Sequence, residues 1–250
     1  MKRTIKSLLL LGMLFVFNNT IAQDKIDSTV QKNVENPKTK KHIKAKKLKQ
    51  TDPNKVKIKR HPKYDYVFII TTKFGEIRGV LFDETPIHHE NFIKLANSGF
   101  YDSTTFHRII PNFMIQGGDP NSKDSNPYND GQGGPGYTLK AEILPQFQHI
   151  RGALAAARMG DQVNPNKESS GSQFYIVQNK LGAPFLDNNY TIFGVVFDNL
   201  EVVDKIVEQP RDSMDRPIEN ITMTVRCVPV KRKLIEKMYG YKYHKLDPKK

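Results

Sequence analysis

A run of short β-type stretches, broken by only two helical ones and never alternating with them, sets the tightest limit on the fold. The stretches lie at 66–72, 76–82, 105–116, 150–158, 173–177, 191–197 and 221–230. The first, Tyr66-Val67-Phe68-Ile69-Ile70-Thr71-Thr72, is dense in β-branched and aromatic side chains that fit a pleated surface. Phe74-Gly75 marks a turn into the second. Thr85-Pro86 opens a helix, with Thr85 as N-cap and Pro86 at the first helical position. Ile87, Phe92, Leu95 and Ala96 share one face of it, and Gly99 stops it. The second helix, 200–209, is apolar at Val202, Val203, Ile206 and Val207 and stops at Pro210. This order implies a mainly β barrel or sandwich.

The chain has 250 residues and a net charge of +13, placed unevenly. Residues 63–230 hold 15 Lys+Arg against 20 Asp+Glu, whereas 24–62 hold 13 against 4 and 231–250 hold 8 against 2. A mildly acidic domain therefore lies between basic flanks, which argues against a nucleic-acid-reading fold. Lys2, Arg3 and Lys6 precede an apolar run at 8–17, too short to span a bilayer, and Thr20-Ile21-Ala22 supplies a small-residue exit. We expect a signal peptide at 1–22, cleaved near Ala22/Gln23, and hence an exported, periplasmic protein. Residues 23–62 read as a disordered basic linker, 63–230 as the folded domain and 231–250 as a basic C-terminal tail carrying Tyr239, Tyr241 and Tyr243. The tail and linker are expected to solubilise the protein, or to make weak electrostatic contact with an anionic surface.

Several apparent motifs lack the context their chemistry needs. Cys227 is the single cysteine, which excludes an internal disulfide or a zinc cluster. It falls on the apolar side of its strand with Ile221, Met223 and Val225, and reads as a buried, inert thiol. Gly131-Gln132-Gly133-Gly134-Pro135-Gly136 matches G-x-G-x-x-G, yet Asn129-Asp130 precede it and Tyr137-Thr138-Leu139 follow. A dinucleotide site needs a strand before and a helix after. The segment reads instead as a loop edging a groove. Ser169, Ser170 and Ser172 form no nucleophile elbow. His88 and His89 are expected on the helix surface, and His107 is expected to face away from Arg108 as a support residue.

Two blocks remain. Phe106-His107-Arg108-Ile109-Ile110-Pro111-Asn112-Phe113-Met114-Ile115-Gln116-Gly117-Gly118-Asp119 and Ser170-Gly171-Ser172-Gln173-Phe174-Tyr175-Ile176-Val177, with Phe193-Gly194, resemble the active-site segments of cyclophilins. These are peptidyl-prolyl cis/trans isomerases. The resemblance covers 63–230 and implies a closed eight-stranded antiparallel barrel capped by two helices. It implies a catalytic Arg108 and a proline pocket of Phe113, Met114, Tyr175 and Leu186. Gln116 and Gln173 would be polar groove residues, with Ala157 and Arg158 on the substrate-binding strand. Arg158 stands where Asn is common, Tyr175 for Phe, Phe185 for the Trp that matters to cyclosporin, and Tyr190 for a His at the pocket rim. The loop 160–170 is longer than in eukaryotic members. These departures resemble bacterial exported forms. No metal or cofactor is implied. The implied partners are proline-containing peptides and unfolded exported proteins, met by a monomer. The alternative from another class is a proline-binding scaffold or holdase without turnover.

Overall fold

The computed structural model describes residues 52–54 and 63–242. The expected signal peptide, the linker apart from 52–54, and 243–250 of the basic tail lie outside the described residues. The strands are β1 (Tyr64–Thr72), β2 (Gly75–Leu81), β3 (Phe106–Ile110), β4 (Met114–Gly117), β5 (Thr138–Leu139), β6 (Ala153–Ala156), β7 (Ser169–Ser170), β8 (Phe174–Val177), β9 (Ile192–Asp198) and β10 (Met223–Lys231). The α-helices are α1 (Pro86–Asn97), α2 (Leu200–Val207) and α3 (Arg232–Tyr239).

Eight strands form one sheet in the order β10-β1-β2-β9-β6-β8-β4-β3, and every neighbouring pair is antiparallel. β5 and β7 pair separately. The stretch read as 105–116 is a hairpin, broken where Pro111 has no N–H to donate and Asn112 takes a φ of 56°. The expected closed barrel needs correction. β3, with 5 residues, forms no ladder with the 9-residue β10. A single bridge, Thr105 with Thr222, and the bonds Phe106 N–H to Ile221 O (3.0 Å) and Met223 N–H to Thr104 O (2.8 Å) join the two edges. The result is a curled sheet, linked at one corner because β3 ends so soon.

Alternate strand residues build the main core. Phe68, Ile70, Ile77, Ile109, Ile115, Leu154, Phe174 and Ile176 meet Phe92 and Leu95 of α1 and Val203 and Ile206 of α2. The intervening residues of β4, β6 and β8 feed a second buried cluster, with Met114, Ala153, Ala155, Tyr175 and Val177. β6 and β8 are therefore buried on both faces, and β4 departs from this only at Gln116. Gly118 has a φ of 85°, and a Cβ there would lie 2.5 Å from Ser172 O, which explains a glycine at that point of the block.

The expected N-cap is supplied from elsewhere. Thr85 makes no side-chain cap bond. Instead Glu142 accepts from the backbone N–H of Ile87 and of His88, both at 3.0 Å, placing a carboxylate at the positive end of α1. His88 and His89 are buried, not on the surface as expected. His88 Nδ1 lies 2.7 Å from Glu142, and the His89 ring meets Tyr66 edge-on.

The segment read wholly as a tail begins with a helix. Arg232 donates to Asp83 at 2.8 Å, Ile235 is fully buried, and Tyr239 packs on Phe197 at 4.5 Å between ring centroids. Gly240 ends α3 in the left-handed region. The helix escapes a charge-based reading because a lysine caps it, two more basic residues open it, and only one of its residues, Ile235, is buried. We expect Ile235→Ala to cost about 2–5 kcal/mol in denaturant unfolding. A loss under about 0.5 kcal/mol, the range of neutral surface substitutions, would show that α3 does not belong to the folded unit.

Candidate active site

Register places the site. Arg108 pairs with Gln116, Gln116 with Tyr175, Tyr175 with Ala155, and Ala155 with Ile192. Directly opposed residues point to the same face, so these five form one row across β3, β4, β8, β6 and β9. Two residues further along, Ile110, Met114 and Val177 form the next row on that face. Ala157, just beyond β6, lies on the other side of the first row, level with Gln173, with its N–H bonded to Gln173 O at 3.0 Å.

The apolar part is a depression with Met114, Tyr175, Val177, Ala183 and Ile192 buried and Phe113, Leu186 and Tyr190 half-buried around them. Ala153 and Ala155 carry little bulk at its centre. Phe82 and Phe147, stacked at 4.4 Å, pack against the same cluster. The sequence offered no signal for these two. Phe185 stands at the rim, 68% exposed, its ring 5.4 Å from Phe113.

The polar part is tightly engaged. Gln116 Nε2 donates to Gln173 Oε1 at 3.2 Å. Gln173 Nε2 donates to the carbonyls of Gly131 (3.0 Å) and Gly133 (2.8 Å). Gly133 N–H in turn donates to Asp119 at 3.0 Å. The glycine-rich segment is thus a pinned wall of the groove, with no helix behind it. Arg158 is engaged at the rim beside Tyr190. Its guanidinium donates to Asn189 O (2.9 Å), to Met159 O (2.9 Å) and to Asp161 (2.6 Å), and lies 4.6 Å from the Tyr190 ring centre. It clamps the long 159–168 loop to the turn that carries Tyr190.

Arg108 differs from every other arginine among the described residues. Arg78, Arg151, Arg158, Arg211, Arg216, Arg226 and Arg232 each pair with a carboxylate. Arg108, half-buried beside the apolar depression, makes no side-chain hydrogen bond or ion pair among the described residues. A fixed cation with vacant donors next to an apolar hollow can receive an acceptor that forms only during a reaction. His107, on the opposite side of β3, is buried against the glycine-rich wall, and neither ring nitrogen has a hydrogen-bond partner among the described residues.

Beneath the depression lies a set the sequence did not announce. Tyr175 Oη is 2.9 Å from His149 Nε2, and His149 Nδ1 is 2.7 Å from Asp187. The partners are 26 and 38 residues apart, so no local spacing signals them. Burial raises the Tyr175 pKa well above the ordinary phenol value.

Comparison with known proteins bears on the same segments. The family model described as cyclophilin type peptidyl-prolyl cis-trans isomerase/CLD matches residues 66–227. The chain is 35% identical over 167 residues to peptidyl-prolyl cis-trans isomerase-like 3 of Dictyostelium discoideum, covering 64% of this chain and 94% of that protein. It is 39% identical over 155 residues to peptidyl-prolyl cis-trans isomerase 9 of Schizosaccharomyces pombe, covering 60% of this chain but 23% of that longer protein. Two further relatives are likewise spanned over only 36% and 30% of their length. Among solved structures, a cyclophilin type peptidyl-prolyl cis-trans isomerase of Cryptosporidium parvum, crystallised in the presence of the dipeptide Ala-Pro, is similar. It has a TM-score of 0.56 and 32% identity, over 65% of this chain and 97% of that one.

The buried histidines give the fold a pH dependence of definite sign. Burial lowers the pKa of His89, His107 and His149 below 6.5, against the raising effect of Asp83, of Asp119 and Asp130, and of Asp187 respectively. In the unfolded chain each titrates near 6.5, so on acidification the unfolded state binds protons first. Stability is therefore full above about pH 6.5 and falls below it, by at most about 1.4 kcal/mol per pH unit for each histidine. Urea midpoints measured from pH 8 to 5 check this. A midpoint that rises or stays level below 6.5 contradicts it.

Proposed function

We propose that this chain, which belongs to the cyclophilin type peptidyl-prolyl cis-trans isomerase family, catalyses cis/trans isomerisation of X-Pro bonds in exported polypeptides, with Arg108 as the catalytic residue. The observation that carries the reading is the half-buried Arg108 guanidinium, without a hydrogen-bond or ion-pair partner among the described residues, in the same row as Gln116 and Tyr175. An X-Pro amide is planar by resonance, with a barrier of about 18–20 kcal/mol. Rotation removes the resonance and leaves a lone pair on nitrogen. That lone pair accepts a hydrogen bond only in the twisted state, so a donor held there favours the transition state over both planar isomers. Arg108 supplies a permanently charged donor.

One charged hydrogen bond contributes roughly 1.5–3 kcal/mol. A millionfold acceleration needs about 8 kcal/mol. The remainder falls to positioning. Phe113, Met114, Tyr175 and Leu186 hold the proline ring, while Gln116, Gln173 and the backbone of Ala157 and Arg158 hold the chain before it. The engagement of Gln173 with the glycine-rich wall supports this, because the groove is formed before substrate arrives. The reaction asks for no metal, nucleophile or cofactor. Export is our reading of the N-terminal segment, and unfolded clients follow from it. N-terminal sequencing of the protein from a periplasmic fraction tests it, with Gln23 as the expected first residue.

The rival is a proline-binding holdase. A pure binder has no use for a vacant cation at this point. We expect Arg108→Ala to lower kcat/KM for a short Xaa-Pro peptide by about tenfold to a hundredfold with the fold intact. Arg108→Lys is expected to recover little of it, since a lysine lacks the planar fork. Exchange NMR of the peptide with circular dichroism of each variant makes the measurement. Wild-type turnover by Arg108→Ala would remove Arg108 from the mechanism, and absence of turnover in the wild type would favour the holdase.

A further inference from the structure

The hydroxyl of Tyr175 poses a problem for the pocket it lines. Its ring is buried among Met114, Val177, Ala183 and Ile192, with Phe113 and Leu186 beside them. A phenol hydrogen pointing into that hollow would face apolar side chains and an apolar proline ring. A buried donor without an acceptor is costly. The chain deals with it through two residues outside the proposed groove.

Donor and acceptor roles follow from the contacts. Asp187 Oδ1 accepts the backbone N–H of His149 at 2.8 Å and lies 2.7 Å from His149 Nδ1. A carboxylate has no hydrogen to give, so Nδ1 carries it. In a neutral imidazole Nε2 is then the acceptor. Tyr175 Oη, at 2.9 Å, must be the donor. The hydroxyl hydrogen points down to His149, and the ring presents only carbon to the pocket. We propose that His149 is a positioning residue that draws the Tyr175 hydroxyl hydrogen away from the proline pocket, with Asp187 selecting its tautomer. This rests on the isomerase reading above.

The neighbourhood keeps His149 in place and neutral near pH 7. Its ring lies parallel to Tyr175 at 6.0 Å between centroids, and Tyr190 stands edge-on to both, at 6.3 and 5.9 Å. The charged and titratable groups around it are Asp187, Tyr175, Tyr190 and, beyond Tyr190, Arg158. Burial lowers the His149 pKa, and Asp187 offsets part of that. Protonation reverses the arrangement. An imidazolium has two donors and no acceptor, so Nε2–H must now donate to Tyr175 Oη. The phenol hydrogen loses its acceptor and has the pocket to face. Proline-ring binding weakens, while Arg108, which acts on the twisted amide, is untouched. The effect therefore falls on KM more than on kcat.

Two measurements decide it. The first needs no turnover: imidazole nitrogen chemical shifts of His149 in the mature protein at pH 7.5. We expect a neutral ring protonated at Nδ1; an Nε2-protonated ring overturns the proposal, whatever the activity. The second is kcat and KM for a short Xaa-Pro peptide across pH 5–8, the window in which a histidine titrates. KM is expected to rise about fivefold on the acid side, equivalent to the loss of one hydrogen bond, with a midpoint below 6.5. His149→Gln sets an amide oxygen where Nε2 accepts and cannot titrate here, so its KM should be level across the range. If His149→Gln does not fold, Tyr175→Phe serves: with no hydroxyl hydrogen to release, its acid rise should vanish or move to lower pH. An acid rise in KM unchanged in these variants overturns the proposal. A wild type inactive at every pH would instead refute the isomerase reading, and the tautomer result would still stand on its own.

Discussion

Antiparallel register across β3, β4, β8, β6 and β9 is the constraint on which the site depends. It sets Arg108, Gln116, Tyr175, Ala155 and Ile192 side by side, although they come from segments up to 84 residues apart in the sequence. Because the side-chain period is 2, a slip of one residue would exchange the two faces. Phe174 and Ile176 would leave the main core, and Tyr175 and Val177 would enter it. The aromatic contacts of Phe174 with Phe92, Tyr101 and Phe106 oppose such a slip. Packing on one side of the sheet thus holds the geometry on the other.

Around that row nearly every polar group has an assigned partner. Gln173 is tied to the glycine-rich wall, Arg158 to the turn at Asn189, and Tyr175 to His149. Such bonds keep buried polar groups satisfied and leave the groove little freedom to rearrange. Arg108 stands apart from them. Among the described residues, a cation left unpaired where the seven other arginines find carboxylates is a local departure from satisfaction, and departures of that kind concentrate at functional sites.

The same contrast separates the two arginines at the groove. By sequence both stand at positions where the family resemblance implies contact with substrate. The structure divides them: Arg158 closes on Asp161, Asn189 and Tyr190, and Arg108 remains available. Substituting Arg158 should therefore disturb the rim through Tyr190, whereas substituting Arg108 removes a donor.

What the sequence determined by itself was the local chemistry. β-branched runs, Gly99 and Pro210 as stops, and the two blocks at 106–119 and 170–177 specified most of the strands, two of the helices and, of the row, Arg108, Gln116 and Tyr175 but not Ala155 or Ile192, since each of these signals acts within a few neighbours. What it left open needed partners brought from far along the chain. The cap on α1 comes from Glu142 rather than Thr85, the histidines read as surface residues are buried, and α3 docks through a lone buried isoleucine within a basic segment. The His149 and Asp187 support for Tyr175 belongs to this second class, as does the corner at which β3 and β10 meet. Propensity and spacing record what a residue does to its own turn or strand. Which carboxylate reaches which imidazole, and which cation is left without one, depends on how the sheet curls.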